Sequence, residues 1–255
     1  MAKVSIVSVD DAALEASPQG VGNVRSRAML SGAGQPIHLR VLELGADASL
    51  TVKGEPCDVA LFVWKGSATA GGAVLTEKSS AVVERGASLK VGAGEDGATV
   101  LAFNLSAETT ARRGGHVHLL PRERVPHADP LGGNEGIGGA LHANAQCPTC
   151  SVWLHENSYA MADKETAVHS HSEDEVIFVH SGSIRLGKRI YGPGTALAIA
   201  ADTKYGFFSG PDGLGFVNFR GTSPTYTSGD GQTVLDEAQL WQGLLGNPEY
   251  LEPAV

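Results

Sequence analysis

Two blocks of short β-rich runs, separated by a stretch rich in glycine and proline, constrain this chain more than any other feature of it. From Ile37 to Leu105, runs such as His38-Leu39-Arg40-Val41-Leu42, Val59-Ala60-Leu61-Phe62-Val63-Trp64 and Ala98-Thr99-Val100-Leu101-Ala102-Phe103 alternate with glycine-containing turns. A second series runs from Cys150 to Phe219 and includes Val176-Ile177-Phe178-Val179-His180, Ser183-Ile184-Arg185-Leu186 and Gly215-Phe216-Val217-Asn218-Phe219. Apolar residues there come in short runs rather than at a spacing of three to four, so strands are expected and helices are not. Two blocks of similar length read as two β-domains or one duplicated domain. Between them Pro121, Pro126, Pro130 and the run Gly132-Gly133-Asn134-Glu135-Gly136-Ile137-Gly138-Gly139 are turn chemistry. The expected organisation is therefore a first domain over 1–110, a connector over 111–146 and a second domain over 147–255. Near the end, Leu235, Ala238, Trp241 and Leu245 recur at helical spacing, which predicts one short amphipathic helix over 233–245, stopping near Gly246 and packing on the outside of the second domain.

Composition then removes function classes. With 255 residues the chain can bury a real core without staples. A formal charge of -9, with no basic run longer than Arg112-Arg113, offers no footprint for nucleic acid or for an anionic membrane surface. Met1 to Asp11 is interrupted by Ser5 and Ser8, too short and too polar for a signal-peptide core, and no stretch approaches the roughly 20 apolar residues that span a bilayer. Three cysteines, Cys57, Cys147 and Cys150, are too few and odd in number for a secreted disulfide framework, so a cytoplasmic location is expected.

The chemistry is concentrated in Ala167-Val168-His169-Ser170-His171-Ser172-Glu173-Asp174-Glu175 and the apolar run that follows. Residues two apart on a strand share a face, so His169 and His171 point together, and Glu175 returns to that face if the chain stays extended. Two imidazoles and a carboxylate on one face make a 2-His-1-carboxylate set, which leaves coordination positions open for water, substrate or dioxygen. Glu173 and Asp174 fall on a turn, and His180 has the opposite parity to Glu175.

The spacing of His169, His171, Glu175 and Gly182 resembles the first cupin motif, and Tyr191-Gly192-Pro193-Gly194 followed by Ile199-Ala200-Ala201-Asp202-Thr203 resembles the second. The resemblance implies an all-β fold of two tandem cupin barrels (double-stranded β-helix, jelly-roll) with a short C-terminal helix, a bicupin. It further implies one divalent metal ion per chain on His169, His171 and Glu175, with Fe(II) preferred and Mn, Ni, Zn or Cu as alternatives. Related barrels commonly pair, so a homodimer is expected.

Two departures from the family pattern matter. The second motif normally adds a histidine ligand, but no histidine follows His180. By alignment Tyr205 occupies that position, which makes it a candidate catalytic residue or ligand, with His142 and His155 as alternative donors. In the first block, counting back from Gly66 as from Gly182 puts Lys53, Glu55 and Val59 where His169, His171 and Glu175 stand, so the first barrel is expected to have lost the metal site. Cys147-Pro148-Thr149-Cys150 has half the spacing of a zinc ribbon without the second half. It reads as a tight turn, with a zinc knuckle involving His142 or a redox pair as alternatives. The expected function is a metal-dependent enzyme on a small organic substrate, with dioxygenase-type oxidoreductase chemistry preferred. Lewis-acid isomerase, lyase or decarboxylase chemistry, or a binding or sensor module without catalysis, are the alternatives.

Overall fold

The computed structural model describes residues 3–17, 20–32, 34–107 and 113–253; Ala111 and Arg112, at the start of the expected connector, lie outside them. The chain divides into two β units. One comprises Val9–Val125, Cys147–Val152 and Pro248–Val255; the other comprises Met1–Ser8, Pro126–Gln146 and Trp153–Asn247. Among the described residues no helix is long and apolar enough to cross a membrane.

In the first unit the antiparallel order is Val117–Leu120, Ser80–Val83, Val59–Ala70, Ser88–Leu105, Ile37–Leu44, Val24–Leu30 and Leu14–Ala16. Ser88–Leu105 organises it. Its first part pairs with Ser49–Lys53, its last part with Ile37–Leu44, and it runs beside Val59–Ala70 across a bulge between Ala93 and Ala98. A strand that serves two layers must bend, and the bulge supplies the bend. Its inward residues Leu89, Val91, Val100 and Ala102 pack with Leu42, Leu61, Val63 and Val83 into one core. Each large apolar side chain among them contributes on the order of 1.5–3 kcal/mol by leaving water.

The second unit repeats the plan with Val4–Ser8, Thr195–Ile199, Glu175–Leu186, Tyr205–Arg220, Trp153–Tyr159, Ile137–Ala143 and His127–Ala128 in order. Here Tyr205–Arg220 is the bent strand, pairing first with Glu165–His171 and then with Trp153–Tyr159. Gly66 and Gly182 sit at corresponding bends with φ of 73° and 59°. A Cβ on them would meet a backbone oxygen at 2.3 Å and 2.4 Å respectively, so only glycine fits.

Part of the expected connector is strand. Val117–Leu120 pairs with Ser80–Val83 in the first unit, and Ile137–Ala143 pairs with Trp153–Tyr159 in the second. Both runs are short and flanked by glycine or proline, so turn signals outweighed their apolar content in the sequence. The helix spans Glu237–Leu245 and buries Ala238 and Trp241, while Val234–Asp236 is strand rather than first turn. Asp236 caps it, accepting from Gln239 N at 3.1 Å, and Gly246 ends it with φ 78°.

Candidate metal centre and its buried charge network

The second unit brings the sequence-selected residues to one place. His169 and His171 lie on Glu165–His171, both buried, with ring centroids 4.9 Å apart. His169 is the cross-strand partner of Tyr205, and their rings lie 4.5 Å apart. Tyr226 stacks over His169 at 5.2 Å. Glu175 opens the next strand and is also buried. The two motif segments are tied together, because Asp202 N donates to His171 O at 2.7 Å and Ala201 N donates to Asp174 Oδ1 at 3.0 Å. Asp174 thus has a backbone to hold, in addition to standing on a turn.

Behind the histidines lies a charge network that sequence reasoning missed. Arg220, at the end of the bent strand, is 1% exposed. Its Nη2 donates to Glu175 Oε2 at 2.6 Å and its Nη1 to Glu237 Oε2 at 3.0 Å. Asn218, on the same face two residues earlier, donates to Glu175 Oε2 at 2.7 Å. His171 Nδ1 lies 3.0 Å from Glu237 Oε1. Glu237 is the first residue of the helix, so the helix does more than clad the barrel: it delivers a carboxylate inside.

The electrostatics follow from this crowding. Burial opposes ionisation of Glu237, but Arg220 and His171 outweigh it and bring its pKa down to about 2. Burial likewise works against Glu175, and Arg220, His171, Tyr205 and Asn218 overcome it, leaving the pKa lowered. Burial and the nearby Glu175 carboxylate hold Tyr205 well above its usual 10.0, so it is a neutral phenol at physiological pH. Burial lowers His169. Two carboxylates against one guanidinium leave a formal charge of −1, which is costly in a dry interior unless a further cation neutralises it.

The fit of a divalent ion can be judged from the far side of each donor. His169 Nδ1 donates to Ala167 O at 2.7 Å, which leaves Nε2 as the bare nitrogen of the neutral ring. His171 turns Nδ1 toward Glu237, and Glu175 gives Oε2 to Arg220 and Asn218, which leaves Oε1 outside that pair of contacts. Tethering one atom and presenting the other is how metal ligands are oriented. In orientation and charge the residues fit. Among the described residues, however, only one group of three or more donors lies within 4.8 Å of one another, and it belongs to the first unit. His169, His171 and Glu175 stand further apart than that.

Of the alternative donors, His155 borders the charge network, as the cross-strand partner of Asn218 and within electrostatic reach of Arg220, Glu237 and His171. His155 accepts from Trp153 Nε1 at 2.8 Å and packs 4.5 Å from the Trp241 ring. Burial and then Arg220 bring its pKa down to about 3, so it is neutral. His142 lies 3.8 Å from Glu156 Oε2, and His180 lies 3.2 Å from Glu156 Oε1. Glu156 follows His155 in its strand and so faces the opposite side of the sheet.

No family model matches the sequence, and no curated protein matches it. Solved structures do resemble the fold. Oxalate decarboxylase from Lactobacillus farciminis, as a formate complex, gives a TM-score of 0.69 at 9% identity over 88% of this chain and 88% of that one. A variant of Bacillus subtilis oxalate decarboxylase gives 0.68 at 12% identity over 88% and 79%. YlbA from E. coli gives 0.68 at 13% identity over 86% and 90%. The fold is the cupin fold. At these identities the likeness shows architecture alone, and the chemistry rests on the residues of the site itself.

Three site residues escaped sequence reasoning: Asn218, Arg220 and Glu237. A signal was present for two of them, since Asn218 and Arg220 share a face in the otherwise apolar Gly215-Phe216-Val217-Asn218-Phe219-Arg220. Nothing local marked Glu237, because an acid in a first helical turn is ordinary.

Proposed function

We propose that the chain is a bicupin whose second barrel is a metal-dependent, lyase-type enzyme acting on a small organic acid, with His169, His171 and Glu175 as ligands and Tyr205 as proton donor. The observation that carries this reading is the place of Tyr205, cross-strand partner of His169 with the two rings 4.5 Å apart. When bound, a divalent ion here would supply a Lewis acid for negative charge on a substrate oxygen. Tyr205 holds a proton at its hydroxyl that it can deliver to a carbon or oxygen of the substrate as a bond breaks. Arg220 is committed to two carboxylates, so it locks the site rather than grips the substrate. Tyr226 and Phe207 give the site apolar walls.

The oxalate decarboxylases among the structural neighbours support the lyase alternative, and none of these neighbours supports dioxygenase chemistry. One neighbouring structure concerns the Mn(II) centres of the Bacillus subtilis enzyme, which makes manganese the first ion to try here, ahead of Fe(II). A homodimer in the cytoplasm completes the reading; light scattering at micromolar protein checks the dimer.

The test is turnover of small mono- and dicarboxylic acids, oxalate included, under anaerobic conditions with Mn(II). Carbon dioxide release without dioxygen uptake is expected. Tyr205→Phe should lower kcat about 100-fold at unchanged stability, and His169→Ala with His171→Ala should lose the manganese. Dioxygen uptake coupled to turnover would replace the lyase with an oxygenase. A second reading, a binding barrel without metal, rests on Arg220, which already supplies Glu175 with a cation at 2.6 Å. Tight small-acid binding that persists after chelation, with no turnover, would select it.

A further inference from the structure

The first unit contains a donor cluster that the proposed chemistry does not use. Glu84, His118, Cys147 and Cys150 each offer one ligand atom, and the four atoms all lie within 4.8 Å of one another. We propose that these four residues form a zinc site that fastens the Cys147–Val152 segment onto its β unit. This proposal is independent of the metal centre on His169, His171 and Glu175.

Three sequence-remote pieces converge here. Glu84 follows Ser80–Val83 and is fully buried; His118 lies on Val117–Leu120, the partner of that strand. The cysteines come from Cys147–Val152, a segment that belongs to this unit although its chain neighbours on both sides belong to the other. So brief a return must be anchored, since it has no strand of its own to pair. Its anchors include Asp58 Oδ2, which accepts from Ser151 N at 3.0 Å, and Thr149, whose carbonyl accepts from Gly114 N at 3.2 Å and whose Oγ1 donates to Glu84 Oε1.

The donor set has the chemistry of zinc. Two thiolates select a soft or borderline ion over magnesium or calcium, and a tetrahedral site with two cysteines, completed by an imidazole and a carboxylate, suits zinc. The outer contacts are also built. Glu84 Oε2 accepts from His116 N at 2.9 Å, and Thr149 Oγ1 donates to Glu84 Oε1 at 2.5 Å. His118 packs against Tyr250, with ring centroids 4.7 Å apart. Such contacts orient ligands. Tetrahedral bond lengths imply donor separations of about 3.3 Å for nitrogen and oxygen and about 3.8 Å for two sulfurs. The cluster therefore needs little closure, and the 2.6 Å contact between His118 Nε2 and Glu84 Oε1 opens to admit the ion. No disulfide joins the cysteines. The sequence pointed to the cysteine pair but offered His142 as its partner, and the fold supplies His118 and Glu84 instead.

The experiment uses the full chain, purified without metal-affinity steps under reducing conditions. Elemental analysis should find one equivalent of zinc that Cys147→Ser with Cys150→Ser removes and that His169→Ala with His171→Ala leaves in place. Exchange of that zinc for Co(II) should give thiolate-to-cobalt charge-transfer absorption. Chelation should lower the Tm of the wild type and leave that of the cysteine variant unchanged. Should the double serine variant fail to fold, the cobalt absorption of the wild type decides alone. Absence of that absorption, zinc content indifferent to the cysteines, or a Cys147–Cys150 disulfide in the reduced preparation would overturn the proposal.

Discussion

The two barrels differ most where their folds agree. Gly66 pairs with Ala98 in the first, as Gly182 pairs with Leu214 in the second, so Val59 and Ala102 correspond to Glu175 and Asn218; Val52, opposite Leu89, stands where His169 stands opposite Tyr205. In the second barrel that position is packed with ionised groups around Arg220. In the first it is a cavity of about 350 Å³, lined by Lys53, Glu55, Val59 and Ala102 together with Arg40 and Thr51. The bent strand, the bulge and the obligatory glycine are common to both, so the cupin frame stands without the charges. The charged site is an addition to the fold, and the first barrel places its buried donors elsewhere, around Glu84.

The largest effect that tests this contrast comes from Arg220. Arg220→Met strands Glu175 and Glu237 in the interior, and loss of about 3–5 kcal/mol is expected in urea unfolding. Arg40→Met, at an exposed cavity-lining position in the first barrel, should change stability by less than about 0.5 kcal/mol. Equal losses would mean that Arg220 is no more structural than a surface arginine.

Building the missing site is the complementary test. Val59→Glu puts a carboxylate where Glu175 has its counterpart, and Val59 is 6% exposed with Ala102 in place of Asn218. A cost of about 2 kcal/mol is expected, because Val59 is buried and Ala102 supplies no amide where Asn218 donates to Glu175. Adding Ala102→Asn and Asn104→Arg, which rebuild the partners of Glu175, should recover much of that cost. Failure of the rescue would show that the equivalence of the two barrels ends at the backbone.

How much of this could be read from the sequence depends on whether the information is local. The candidate ligands His169, His171 and Glu175 sit within one strand and turn, where parity selects them, and the bends at Gly66 and Gly182 carry their own constraint. Tyr205 came from a motif position. Arg220 and Glu237 could not be paired with Glu175, because that meeting depends on register between strands far apart in the chain and on the docking of a helix. For the same reason the cysteine pair was visible while its companions Glu84 and His118 were not. Val117–Leu120 was hidden by the prolines and glycines around it, which are the ends of a strand rather than evidence against one.

Acid should expose the second barrel through His155. Its pKa is about 3 when folded against 6.5 unfolded, so the unfolded chain binds the extra proton first. Stability is therefore full above about pH 6.5 and declines as pH falls toward about 3, with a slope of about 1.4 kcal/mol per pH unit from this one group. His155→Gln should flatten that part of the curve in pH-dependent urea unfolding. An unchanged slope would move the acid sensitivity to another group.

The smallest effect asks whether the helix belongs to the site or only to the surface. Only the second barrel carries an α-helix among the described residues, and Asp236 caps the turn that begins with Glu237. Asp236→Ala removes the bond to Gln239 N and should cost about 1 kcal/mol, whereas Asp236→Ser keeps a capping oxygen and should cost less. If the helix is cladding, the difference between Asp236→Ser and Asp236→Ala is uniform in pH. If it positions Glu237, the cost also has a signature in acid. Glu237 has a folded pKa of about 2 against 4.5 unfolded, so its stabilisation is present above about pH 4.5 and disappears as pH falls toward 2. A frayed first turn weakens the hold of Arg220 and His171 on that carboxylate and raises its folded pKa toward 4.5. The difference between Asp236→Ser and Asp236→Ala, neither of which has a titratable group at 236, should then shrink as pH is lowered through this window, while in a Glu237→Gln background, which has no such charge to lose, that difference should not vary with pH.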